Sequence, residues 1–348
     1  MRAPIIIGDV VIKSGQKKIF DLPLPALYTR TEIGLPVHVI HSKTDGPILF
    51  ISAAIHGDEI NGVEIIRRVL NSKVLNRLKG TIIAVPVVNL FGFINQSRYL
   101  PDRRDLNRSF PGSEKGSMAA RLANLFLKEI VHKCTHGIDL HTAAIHRDNL
   151  PQIRAFLKDK ETEKMARAFY SPVIINTALV EGSLRQAVNK MNIPVIVYEA
   201  GEALRFDEGS IRAGVKGIIS VMREIGMLPK LKTSRFQIEP LVAKSSTWVR
   251  APQSGILRSL VSLGSKVNKQ DVLGVVSDPF GENEEQVLAN INGIIVGRTN
   301  IPLVNEGEAL FHIASFKPSE KIVDKIEEFN NEIDPSTDNR KPAEPPII

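Results

Sequence analysis

From Pro47 onward, short apolar runs alternate with stretches whose apolar residues recur at helical spacing. ILFISAAI (48–55) reads as a buried strand, GVEIIRRVLNSKVLNRL (62–78) as an amphipathic helix, and TIIAVPVVN (81–89) as the next strand. The segment from Phe91 to Gly116 is irregular, and SMAARLANLFLKEIVHK (117–133) is helical again, followed by strand-like HGIDLHT (136–142). A further unit has helical ETEKMARAFY (161–170) and SLRQAVNK (183–190), the apolar run IPVIVYEA (193–200) and helical SIRAGVKGIISVMREI (210–225). Strands that are apolar throughout and alternate with helices predict an α/β fold whose mostly parallel sheet carries helices on both faces.

The rhythm changes on either side of this stretch. Residues 1–45 mix short β-branched runs with Pro and Gly and predict strands or an extended arm. Residues 46–229 form the candidate catalytic domain. From Lys230 to Phe316 the chain is β-rich, and Ser254–Asp278 is loosely echoed by Asn292–Ala314. This resembles the two half-motifs of lipoyl and biotinyl carrier domains, but Ser277–Glu285 (SDPFGENEE) replaces the hairpin that holds the modified lysine. A smaller barrel or sandwich domain without a swinging arm is therefore expected. Residues 317–348 form a tail in which KPSEKIVDKIEEF can make a short helix, while the proline-rich end is expected to be disordered.

Composition adds bounds. With 348 residues, 43% hydrophobic and 24% charged, the chain is long enough for a large core plus a second domain. The N-terminus has too short an apolar run and too early an acid for a secretory signal, and no run approaches a membrane span. A soluble, cytoplasmic protein is expected. The one cysteine, Cys134, reads as a partly buried structural thiol. A net charge of +7 is spread along the chain with only 5% aromatic residues, which argues against a nucleic-acid footprint. An arginine cluster, Arg98, Arg103, Arg104 and Arg108, instead points to an acidic small substrate. Nothing in the pattern decides between a monomer and a homo-oligomer.

Three candidate groups follow predicted strands: His56 and Glu59 in HGDE, His141 in DLH, and Glu199 in YEAGE. Ligands of open α/β sheets bind beyond the carboxyl ends of the strands, so the fold would bring these residues together. Two imidazoles and one carboxylate suit zinc with a position left open for water. Glu59 reaches that centre if Gly57 permits a tight turn, with Asp58 facing away. Glu199 reads as the general base, with an ion pair to Arg205 as its structural alternative. Asp139 is placed on the face opposite His141, outside the ligand set, with support of the ligands as a weaker option. Asn107 and Arg108 make a carboxylate clamp, and Arg98 is a donor to a developing oxyanion. Arg103 and Arg104 are expected in solvent or paired with Asp102 and Asp105.

HGDE, DLNRSFPG, DLHTA and YEAGE, in this order and spacing, resemble the succinylglutamate desuccinylase and aspartoacylase family, within the zinc carboxypeptidase-like fold. The resemblance covers roughly Pro47 to Leu228. It implies one Zn2+ per chain held by His56, Glu59 and His141, with Glu199 as the catalytic glutamate, Asn107 and Arg108 on the substrate carboxylate and Arg98 on the oxyanion. The activity it implies is a zinc-dependent amidohydrolase that removes the acyl group from an N-acyl amino acid. Two rivals stand beside it: a metallocarboxypeptidase trimming C-terminal residues, acidic ones included, and an inactive hydrolase scaffold whose β-rich C-terminal region is a protein-interaction module.

Overall fold

The computed structural model describes residues 2–231, 240–317 and 322–333. Four parallel strands form the centre of a mixed sheet, in the spatial order Thr81–Val85, Ile48–Ala53, His136–His141 and Val195–Gly201. Because successive side chains alternate between faces, Ile51 packs into one apolar cluster and its neighbour Phe50 into another. The first cluster is covered by the helices Asn61–Leu70, Lys160–Ala168 and Glu208–Glu224. The second lies under Met118–Glu129 and Leu184–Lys190. Side-chain oxygens of Ser117, Asp159, Ser183 and Asp207 accept first-turn N–H groups and so fix where four of these helices begin.

Antiparallel strands extend this parallel centre at both edges. Gly34–His41 and Lys17–Pro23 continue beyond Thr81–Val85. On the other side Arg147–Ala155 pairs antiparallel with Val195–Gly201, and Gly293–Thr299, Ala309–Ser315 and Ser245–Arg250 follow in turn. The β-rich C-terminal region thus has its own core around Leu273, Val276 and Phe311, and joins the main sheet through Gly293–Thr299. In that region Asp278 organises the Ser277–Glu284 connection by accepting the N–H groups of Phe280, Glu282 and Asn283. A helix, Ile322–Ile333, packs against Glu208–Glu224, and the expected tail beyond it lies outside the described residues. Among the described residues no helix is long and apolar enough to cross a membrane.

Local differences from the sequence pattern have physical causes. The helix expected over 62–78 stops at Leu70, where Asn71 and Ser72 bond to nearby backbone, and a 3-10 turn covers Lys73–Arg77. The helix expected over 117–133 likewise ends at Glu129 and gives way to a 3-10 turn, Val131–Lys133. Cys134 is buried, its thiol donates to the Ile130 carbonyl, and burial pushes its pKa up, away from reactivity.

The tight turn expected at Gly57 forms, with the Glu59 N–H donating to the His56 carbonyl, but the Gly57 backbone is not in the left-handed region. The need is for space: a Cβ there would sit 2.0 Å from the Gly92 carbonyl carbon and 2.1 Å from the Phe93 nitrogen. Those are backbone atoms, which cannot swing aside as a flexible side chain can. Gly57→Ala should therefore destabilise the fold by about 2–3 kcal/mol, at the upper end of overpacking costs. Urea unfolding measures this, and an unchanged midpoint would mean that the backbone at Gly92 and Phe93 yields freely.

Candidate active site

His56 lies just past the strand Ile48–Ala53, and His141 is the last residue of its own strand. Glu59 follows His56 by one tight turn, closed by the hydrogen bond from Glu59 N–H to the His56 carbonyl. The donor atoms of His56, Glu59 and His141 all lie within 4.8 Å of one another, and all three residues are buried. Each oxygen of Glu59 faces one ring nitrogen: Oε1 lies 2.7 Å from His56 Nδ1 and Oε2 lies 2.7 Å from His141 Nδ1. The outer nitrogens are also held, His56 Nε2 by Asp105 at 3.1 Å and His141 Nε2 by Asp139 at 2.8 Å.

This arrangement tests whether a metal fits. An ionised carboxylate only accepts, so the contacts to Asp105 and Asp139 place a proton on each Nε2 and turn both Nδ1 atoms inward. Without a cation, each Nδ1 must also be protonated to approach Glu59 so closely. Burial opposes that charge, yet Glu59, with Asp105 at His56 and Asp139 at His141, raises both imidazole pKa values. Burial also opposes ionisation of Glu59, but the two histidines hold its carboxyl far below the usual range. Two protons and one divalent cation supply the same charge. The two-nitrogen, one-oxygen donor set with carboxylates behind both imidazoles fits zinc.

Asp139 corrects the expectation that it faces away from His141. Residues two apart on a strand share a face, and the Asp139 carboxylate bridges His141 and the Ser52 hydroxyl, which donates at 2.7 Å. Asp58 is buried, and its backbone carbonyl accepts from the Leu204 N–H. Arg98 donates to Glu59 at 3.2 Å and to Asp105 at 3.0 Å. Asp105 therefore joins an arginine, a histidine and the Asn107 N–H that begins the next 3-10 turn. Burial opposes its ionisation, but the bond from His56 and the charge of Arg98 hold its carboxyl well below the ordinary range. Arg104 lies 3.8 Å from Asp102.

Glu199 is paired in register with His141 on the neighbouring parallel strand. Its carboxylate accepts from Asn149 Nδ2 at 3.0 Å and lies 3.3 Å from Arg154 Nε, so Arg154 takes the place anticipated for Arg205. Both partners come from Arg147–Ala155, a strand without a continuous apolar run. Glu199 pairs with Gln152 and Gly201 with Asn149, so this strand carries one extra residue opposite Ala200. The bulge lets Asn149 and Arg154, which a regular strand would send to opposite faces, both reach Glu199. Asn61 ties the His56–Glu59 loop to the end of the Glu199 strand by donating to the Ala200 carbonyl and accepting from the Asp207 N–H.

Asn107 and Arg108 line the same cavity of about 240 Å³ as the histidines and Glu199. Asn107 Oδ1 accepts the Leu184 N–H at 2.9 Å, which leaves the amide nitrogen as the donor end. Gly182 carries φ +73°, and a Cβ there would meet the Arg108 carbonyl oxygen at 2.5 Å, so glycine lets these two segments pack together. Residues the motifs did not single out also line the cavity: Arg147, Asn149, Arg154, Arg185 and, from the C-terminal region, Trp248.

Fold and cluster together define an α/β protein with a candidate mononuclear metal site at the ends of parallel strands. Comparison with known proteins narrows this. The succinylglutamate desuccinylase/aspartoacylase catalytic domain model matches residues 45–225, and the chain belongs to that family. The N-alpha-acetyl-L-2,4-diaminobutyric acid deacetylase of Halomonas elongata is 25% identical over 292 residues, covering 80% of this chain and 85% of the relative. The product-bound ectoine utilization protein EutE (DoeB) from Ruegeria pomeroyi superposes with a TM-score of 0.80 at 24% identity, covering 90% of this chain and 100% of that one. The succinylglutamate desuccinylase/aspartoacylase structure from Rhodobacter sphaeroides gives 0.78 at 21% identity, covering 88% and 96%. The structural likenesses speak to the fold.

The proton count of the cluster leads to a prediction. The raised imidazole pKa values stabilise the metal-free protein fully below about pH 6.5, the ordinary histidine value, and that stability is lost as pH rises through the folded values. Zinc displaces these protons, so its affinity should tighten between pH 6 and 8, with one to two protons released per ion, roughly ten- to hundredfold per pH unit. Calorimetric titration in buffers of different ionisation enthalpy counts the protons. His56→Ala and His141→Ala should each lose most bound zinc, and full occupancy in both variants would refute the ligand set.

Proposed function

We propose that the chain is a zinc-dependent deacylase that hydrolyses the amide bond of an N-acyl amino acid or a related small amide bearing a carboxylate. The observation that carries this reading is the His56, Glu59 and His141 cluster with Glu199 in register beside His141. Family membership and the deacetylase named for the Halomonas elongata relative support the same reaction class. We take residues 46–229 as the catalytic unit and 230–316 as a flanking unit that supplies part of the cavity wall.

His56, Glu59 and His141 would hold the ion, with Asp105 and Asp139 keeping the imidazoles oriented. Bound zinc supplies a Lewis acid that polarises the scissile carbonyl and makes water a nucleophile near neutral pH. Glu199 takes the proton from the attacking water and delivers it to the departing amine nitrogen, which leaves as the amide C–N bond breaks. Asn149 and Arg154 orient its carboxylate for both transfers. Arg98 retains N–H groups beyond its contacts with Glu59 and Asp105 and stabilises the carbonyl oxygen as negative charge grows on it. The Asn107 amide and the exposed Arg108 guanidinium hold the substrate carboxylate.

Mass spectrometry of products from a panel of acetyl-, succinyl- and formyl-amino acids, with dipeptides alongside and zinc present, tests the class. Release of the free amino acid and the acid supports deacylation. Cleavage confined to peptides would reassign the protein as a carboxypeptidase, and inertness of the zinc-loaded protein would leave the scaffold reading.

Two substitutions separate the roles. Glu199→Gln should keep zinc at wild-type content and slow turnover by roughly a hundredfold or more. Activity near wild type would remove Glu199 from proton transfer. Arg108→Ala should lose about 2–4 kcal/mol of transition-state binding, or roughly thirty- to a thousandfold in kcat/KM, on a free carboxylate substrate. Its loss on the corresponding amide should be slight, because neither enzyme has the anion to grip. Equal proportional losses on both would assign Arg108 to folding or to the oxyanion.

A further inference from the structure

A second cavity lies at the other end of the central strands. It is lined by three segments, 15–17, 40–44 and 75–79, and its volume of about 410 Å³ exceeds the roughly 240 Å³ of the cavity at the metal cluster. The segments 40–44 and 75–79 lead into the strands Ile48–Ala53 and Thr81–Val85, which places this cavity at the amino end of the strand that delivers His56 at its other end. The six residues of that strand keep the two sites roughly 20 Å apart.

Backbone bonds tie the walls of this cavity together. The Gly15 N–H donates to the His41 carbonyl, the Ser42 N–H to the Gly80 carbonyl and the Ser42 hydroxyl to the Leu78 carbonyl. Ile40, Leu75 and Leu78 are the buried apolar part of the lining, and four exposed cations, Lys17, Lys43, Arg77 and Lys79, stand around them. Gly15, at φ +84°, makes room for one of these: a Cβ there would lie 2.8 Å from Lys43 Cε, so the lysine stem packs against the turn. Among the described residues no carboxylate lines this cavity, and none of the four side chains has an ion-pair or hydrogen-bond partner. Asp45, the acid that follows Thr44, is held instead by Arg2 at 3.0 Å.

Like charges gathered around one concave surface repel each other and focus a positive potential, and a bound polyanion relieves that cost. A terminal phosphate carries about −1.5 to −2 at pH 7, so two or three linked phosphates offset four cations where a single carboxylate offsets one. Among the described residues no Phe, Tyr or Trp lines the cavity, so a base would find no ring to stack on and recognition falls to the phosphates. We propose that this cavity is a binding site for an oligophosphate, gripped through its phosphates whether it is free or the chain of a nucleotide. Arg77 forks onto one phosphate, and Lys17, Lys43 and Lys79 supply point charges along the rest. Binding there is independent of the chemistry at the metal cluster.

Calorimetric titration of the full chain with tripolyphosphate, ATP, adenosine and citrate at about 0.15 M salt tests this. Tripolyphosphate should bind once per chain with a Kd below about 100 μM, and Lys43→Gln combined with Arg77→Gln should weaken it about tenfold or more. Lys266→Gln combined with Lys269→Gln removes the same charge from the C-terminal region and should leave the affinity within about twofold. All four of these side chains are exposed, so neither pair of changes disturbs packing. Heat from any zinc that the anion draws off is common to all three proteins and cancels in the comparison. ATP bound as tightly as tripolyphosphate or more tightly assigns a nucleotide chain, and weaker ATP binding assigns the free anion. No binding of tripolyphosphate or ATP by wild type, equal losses in both double variants, adenosine bound as tightly as ATP, or citrate bound as tightly as tripolyphosphate would each overturn the proposal. An affinity unchanged in the Lys43 and Arg77 variant overturns it too, and its loss in Arg108→Ala would then put the anion beside the metal cluster.

Discussion

A carboxylate buried between two imidazoles governs this structure. Glu59 is 2% exposed, and a charge so far from water is tolerated only when opposite charge and hydrogen bonds surround it. Here Arg98, the Thr142 N–H and both histidines supply them. Each histidine then needs its own outer carboxylate, and each outer carboxylate is held by another element: Asp139 by Ser52, Asp105 by Arg98 and the Asn107 N–H. The network reaches from the ligands to two central strands and to the loop that carries Asn107 and Arg108. Satisfying one buried charge thus sets the positions of most of the groups assigned to chemistry.

The parts of this that were legible in the sequence are those in which local pattern and fold agree. The four central strands are buried on both faces, so they read as unbroken apolar runs, and residues at their carboxyl ends converge by topology alone. His56, His141 and Glu199 could be grouped on that basis. Arg147–Ala155 could not be read this way. It is an antiparallel strand with charged residues at 147, 148 and 154 and a proline at 151, and proline within a run argues against a strand. Its bulge is set by pairing with Val195–Gly201 and leaves no mark in its own residues. Asn149 and Arg154 were therefore invisible as partners of Glu199, although the strand that holds them is one of the two neighbours of the Glu199 strand.

Two further differences trace to geometry rather than propensity. Asp139 could have been placed correctly from strand parity alone, since the residue two before His141 must share its face. Asp105 carries no such signal: its role depends on a contact to His56, 49 residues away, that only the folded loop creates. Gly57 shows a similar limit. A glycine in a turn motif invites an argument from backbone freedom, whereas here the neighbour's backbone fills the place a side chain would take.

The C-terminal region takes part in the site through the sheet itself. Gly297 pairs with Asn149, and a Cβ at 297 would lie 2.8 Å from Asn149 Oδ1, so the missing side chain lets the Asn149 amide lie against the C-terminal ladder while its nitrogen reaches Glu199. The next strand carries His312, whose ring supports Trp248 at the cavity and whose titration is depressed partly by the charge of Arg154, the other partner of Glu199. The candidate general base therefore rests between two supports of different origin. One side is the parallel sheet that carries the candidate ligands, and the other is an antiparallel ladder continuous with the C-terminal strands. A region that carries no candidate ligand can thus influence both the orientation of Glu199 and the shape of the wall facing it, because hydrogen-bonded strands transmit a displacement that a flexible linker would absorb.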